Sequence, residues 1–157
     1  MVNIYISTSD KYIHLIRPFQ YLFNKFWSDK QKVTILGYEK PQFELEDNFN
    51  FISLGTQTTI VDWCIDLKSF LESIDDDYFI HAVEDQFIIK PVNVNTISKL
   101  VDMMDENVGR IALETAAQTK PHTEIHKDEE MCVIELDQEA QYRLSVVHSI
   151  WNRKYML

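Results

Sequence analysis

The chain has 157 residues, of which 45% are hydrophobic, enough for one sizeable core. Twenty-five acidic residues against 15 basic ones give a net charge of -10, which disfavours gripping nucleic-acid phosphates or anionic lipid headgroups. No run approaches the roughly 20 apolar residues of a membrane helix, and the start, Met1-Val-Asn-Ile-Tyr-Ile-Ser, reads as a first strand rather than a secretory signal. The expectation is a soluble, cytoplasmic, single α/β domain over residues 1–157, with no nucleic-acid partner and no membrane span.

In chain order, Asn3 to Ser7 is a short β-branched and aromatic run closed by Ser-Thr-Ser-Asp, which ends a strand and opens a helix. Ile13, Ile16, Phe19, Leu22 and Phe26 keep helical spacing between Tyr12 and Trp27, with Pro18 expected to begin a new segment or kink the helix. Lys32 to Tyr38 and Asn50 to Leu54 are predicted strands on either side of an acidic loop. Thr59 to Ile74 returns to helical spacing, with Thr58 or Thr59 as N-cap, and Asp75-Asp76-Asp77 ends it as a solvated turn. Tyr78 to Ala82 is nearly continuous in apolar residues, as in a strand buried on both faces. Val94 to Met104 is a third helix and Gly109 to Leu113 a further strand. Ala116 to Glu130, with His122 and His126, reads as a polar loop, and the acidic run Asp128-Glu129-Glu130 as solvated. Cys132 to Leu136 and Tyr142 to Val147 read as closing strands, a hairpin near the C-terminus on the sheet edge. Alternating strands and helices predict a mostly parallel, Rossmann-like sheet flanked by helices, with ligands at the carboxyl ends of the strands.

Cys64 and Cys132, far apart in apolar stretches, are read as reduced core thiols, without a disulfide or zinc site. Three glycines form neither a Walker A loop nor GxGxxG, so a phosphate site here needs side chains or a metal. Glu84 and Asp85 follow the apolar strand directly. Two readings stand side by side: they cap and solvate the turn towards Pro91, or they hold a hard divalent cation that bridges to substrate phosphates.

Three segments carry a wider pattern: Trp63, Leu67 and Leu71 on one helix; Tyr78-Phe79-Ile80-His81-Ala82-Val83-Glu84-Asp85-Gln86-Phe87-Ile88; and Tyr142-Arg143-Leu144-Ser145-Val146-Val147-His148-Ser149-Ile150-Trp151. Together they resemble the short bacterial and viral GT-A-type glycosyltransferase-like proteins. The resemblance covers most of the chain and implies a GT-A fold, a nucleotide diphosphate sugar as donor, a glycan or other hydroxyl acceptor, and Mg²⁺ or Mn²⁺ as cofactor. It implies Asp85 and Glu84 as metal ligands, Thr8 and Ser9 beside the nucleotide with Ser7 and Asp10 behind them, and Asp62 and Trp63 on the donor side. Ser145 and Trp151 fall on the acceptor side, with His148 as the nearest candidate for a catalytic base. The chain departs from that pattern in two ways: Gln86 replaces the second carboxylate of DxD, and the usual C-terminal extension does not follow. The alternative is therefore a noncatalytic nucleotide-sugar or glycan-binding module, and a homo-oligomer has room to complete the acceptor side. A third reading is an interaction protein with an aromatic contact edge around Phe87, Trp151 and Tyr155.

Overall fold

The computed structural model describes residues 2–59, 61–113, 121–140, 145 and 148–157. Eight strands are described: β1 (Asn3–Ser7), β2 (Val33–Gly37), β3 (Phe49–Ser53), β4 (Tyr78–Val83), β5 (Arg110–Ala112), β6 (His122–Lys127), β7 (Cys132–Leu136) and β8 (Ser149–Asn152). Helices α1 (Ile16–Phe26), α2 (Trp63–Glu72), α3 (Val94–Asp102) and the short α4 (Arg153–Met156) join them. The result is an α/β structure with a mostly parallel six-stranded sheet ordered β3-β2-β1-β4-β8-β5 and a separate antiparallel hairpin, β6-β7. Strands β3, β2, β1 and β4 run parallel, and β8 enters antiparallel between β4 and β5.

Strand alternation sorts the core. Ile4, Ile6, Ile35, Ile80, Ala82 and Ile150 pack on the face covered by α1 and α3. Tyr5, Leu36, Phe79 and Trp151 pack on the other, against Leu67, Phe70 and Leu71 of α2. Pro18 lies in the first turn of α1, where its missing N–H breaks no helical bond, so the helix continues through it.

Several expectations need correction. The helix expected from Thr59 starts at Trp63, because the hydroxyls of Thr58 and Thr59 and the Thr59 N–H all turn onto the Asp62 carboxylate instead of capping. Residues 122–127, read as loop, form β6, which pairs with β7 in an antiparallel hairpin; the expected strand from Tyr142 to Val147 lies almost wholly outside the described residues. Of that stretch only Ser145 is among the described residues. Residues 149–152 form a sheet strand that local pattern did not reveal. Cys64 and Cys132 are both exposed, not core thiols. Asp75 and Asp77 are exposed as a solvated turn requires, while Asp76, partly buried, also accepts from Asn3 Nδ2 at 2.8 Å and the Tyr5 hydroxyl at 2.5 Å. Among the described residues no helix is long and apolar enough to cross a membrane.

Candidate functional site

The chain steps from β1 to β2 to β3 in one direction across the sheet, then returns to place β4 on the other side of β1. Such a reversal opens a crevice beyond the carboxyl ends of the two central strands, the usual ligand position in an open α/β sheet. Ser7 pairs with Val83 in the β1–β4 register, so Thr8 and Glu84 are the next residues on strands about 4.8 Å apart. Thr8, Ser9, Glu84 and Asp85 thus come together on one rim.

Three loops are tied at this rim. The Asp10 carboxylate accepts from the Glu39 N–H at 2.9 Å, and the Asp10 N–H donates to Gln57 Oε1 at 3.4 Å. Asp10 is thereby engaged in holding loops, while Thr8 is buried and extends the ladder through its N–H to the Leu36 carbonyl at 2.8 Å. A Cβ on Gly37, the last residue of β2, would stand 3.0 Å from both the Phe51 ring and the Thr8 methyl, so a larger residue there would push these side chains apart. Beyond β3, Asp62 and Trp63 open α2, and the Trp63 ring lies 6.4 Å from that of His81.

The acids differ from each other. Asp85 is exposed, whereas Glu84 is only 7% exposed. Burial, then the neighbouring Asp85 charge, push the Glu84 pKa upward, and the one opposing influence is a hydrogen bond from its own backbone. Among the described residues no cation pairs with it. Beside it, Gln86 Oε1 is buried with no hydrogen-bond partner among the described residues. A carboxylate whose one donor is its own backbone and, beside it, an amide oxygen with no partner among the described residues are both oxygen acceptors, the chemistry that suits a hard cation. Among the described residues no group of three or more His, Cys, Asp or Glu is gathered to hold a metal, so two carboxylates would need ligand oxygens to complete the shell.

Beneath the rim lies a polar seam. Ser7 Oγ and His81 Nε2 are 2.8 Å apart, and His81, 0% exposed, has its Nδ1 without a partner. Burial, with a smaller contribution from nearby His148, lowers the His81 pKa to about 4. On β8, Ser149 accepts from Arg110 Nε at 2.8 Å, and the Arg110 guanidinium stands 5.4 Å from the Trp151 ring centre. The sequence signal for this seam was a lone histidine inside the apolar run Phe79-Ile80-His81-Ala82.

The residues expected on the acceptor side are spread out. His148 stacks on Phe19 with its Nε2 buried and unpartnered, and burial lowers its pKa to about 4. Ser145 Oγ is within 3.4 Å of Arg110 Nη2. Trp151 pairs with Phe79 near the start of β4, at the opposite end from Glu84. It lines a groove of about 180 Å³ between α2 and β8, shared with Trp63 and Met156. A larger space, about 480 Å³, lies at the end of the hairpin around Pro121 and Glu135. No protein-family model matches the chain, and no curated protein sequence matches it.

Proposed function

We propose that the β1–β4 rim binds a nucleotide diphosphate sugar through a divalent cation, Mg²⁺ or Mn²⁺, and that the chain transfers the sugar to an acceptor hydroxyl on a GT-A type of fold. The observation that carries this reading is Glu84: a buried residue whose carboxylate has no cationic partner among the described residues, next to Asp85, at the chain reversal where open α/β sheets take their ligands. Glu84 and Asp85 would hold the cation, with Gln86 Oε1 as a neutral third oxygen. When bound, the cation neutralises diphosphate charge on an otherwise acidic rim. Ser9 and the strand-end backbone orient the nucleotide, and Thr8, fixed under Gly37, sets how closely the diphosphate approaches.

Binding without transfer is the second reading. It is favoured by His148, whose buried Nε2 and stacking on Phe19 keep that imidazole from reaching a hydroxyl at the rim. Calorimetric titration with a panel of nucleotide diphosphate sugars, with and without Mn²⁺, tests both. Metal-dependent binding abolished by Asp85→Ala and weakened by Glu84→Gln is expected. Release of free nucleoside diphosphate on adding acceptors then separates transfer from binding, and the absence of any metal-dependent binding rejects the donor site.

A further inference from the structure

The six-stranded sheet ends in two unlike edges. One is β5, three residues long and carrying Arg110. The other is β3, whose five residues, Phe-Asn-Phe-Ile-Ser, carry no charge and no proline. Exposed strand edges are normally guarded by lysines, prolines, bulges or shortness, and β3 has none of these.

The backbone shows which groups it offers. The Asn48 carbonyl accepts from Val33 N–H at 2.9 Å, and the Leu54 N–H donates to the Gly37 carbonyl at 2.7 Å. Even-numbered residues therefore face β2, and alternation turns the N–H and C=O of Phe49, Phe51 and Ser53 outward. The Phe49 N–H is taken by the Glu46 carbonyl at 2.8 Å, while Phe51 and Ser53 find no outward backbone partner among the described residues. Asn50, Ile52 and Ser53 are exposed, as an uncovered edge requires.

We propose that β3 pairs antiparallel with β3 of a second copy of this chain, joining two sheets across a twofold axis at Phe51. The flanks decide the partner and the direction. Glu44, Glu46 and Asp47 precede the strand, and the neutral, hydroxyl-rich stretch Gly55-Thr56-Gln57-Thr58-Thr59 follows it. Antiparallel self-pairing lays the acidic flank of each copy beside the uncharged flank of the other; parallel pairing would stack acid on acid. The twofold also lets the two Phe51 residues exchange both backbone bonds, with each Ser53 N–H reaching the Phe49 carbonyl across the axis.

Light scattering on a sizing column, from low micromolar to submillimolar concentration, reads this directly. The wild-type chain is expected to move to twice its monomer mass. Asn50→Lys, which sets a charge at the exposed edge opposite Ile52 of the second copy, should weaken the association at least about tenfold. Ser53→Pro, which deletes an outward N–H and leaves the β2–β3 backbone ladder whole, though it also removes the Ser53 hydroxyl bonds to Tyr38 and Gly55, should abolish it. Circular dichroism melts check that each variant folds, and Asn50→Lys decides alone if the proline variant does not. A wild-type chain that stays monomeric throughout overturns the proposal, as does a dimer that Asn50→Lys leaves unchanged.

Discussion

At the amino end of the sheet, Asp76 is held between Asn3 Nδ2 and the Tyr5 hydroxyl. At the carboxyl end of the same central strands, Glu84 is buried more deeply and, among the described residues, meets no donor but its own backbone. The first arrangement satisfies an acid and in doing so fastens the turn before β4 to β1; burial and the Asp76 charge hold the Tyr5 hydroxyl protonated far above its ordinary range. The second leaves desolvation offset, among the described residues, by its own backbone alone, an arrangement that suits a bound ligand. Equal formal charges at opposite rims thus do different work: one closes the fold and the other leaves it open to a ligand.

Acid titration should strain this contrast most. His81 and His148 both have folded pKa values near 4, below the ordinary 6.5, because burial disfavours their charged forms. The unfolded chain therefore takes up protons first. The stabilisation is complete above pH 6.5 and is lost as pH falls towards 4, on the order of 5 kcal/mol for the pair. Urea unfolding at a series of pH values checks it, and His148→Phe, which keeps a ring against Phe19, should flatten the slope. A midpoint unchanged across that window would contradict the burial described for both rings.

Next in size, Asp76→Ala should cost about 2 kcal/mol, since it strands the partly buried Tyr5 hydroxyl and unties the turn before β4 from β1. Tyr5→Phe should cost about 1 kcal/mol because the hydroxyl leaves but Asn3 still holds the acid. At the other rim, Glu84→Gln should change stability by less than about 1 kcal/mol, or raise it, while removing cation binding. Thermal melts of the three variants order these effects. An Asp76→Ala variant no weaker than Glu84→Gln would erase the distinction between the two rims.

Much of the frame was legible because the strands follow local rules. β1 is Asn3–Ser7 as its composition indicates, and the apolar run from Tyr78 becomes the central strand β4. The position of Glu84 and Asp85 at a strand end followed from the break in that run. What stayed hidden depended on partners distant in sequence. Ser149–Asn152 is too short to show a period, and its place between β4 and β5 comes from pairing across the fold. Once it is a strand, Trp151 is carried away from the rim. β6 was obscured because His-Thr-Glu-Ile-His-Lys has one aliphatic residue, Ile125, and that residue is exposed. Cys64 has apolar neighbours in sequence, but its turn of α2 faces outward beside Ile65, 63% exposed.

Strand β8 also sets an order of assembly. β1, β2 and β3 find their neighbours within the first 83 residues, whereas one side of β4 waits for β8, and among the described residues β5 pairs with β8, about forty residues later in the chain. Arg110–Ala112 must wait for Ser149–Asn152 to slot in against the direction of the rest. The β5–β8 half of the sheet is therefore expected to consolidate last, and mutations in Ile150 should slow that late phase more than the formation of the parallel half.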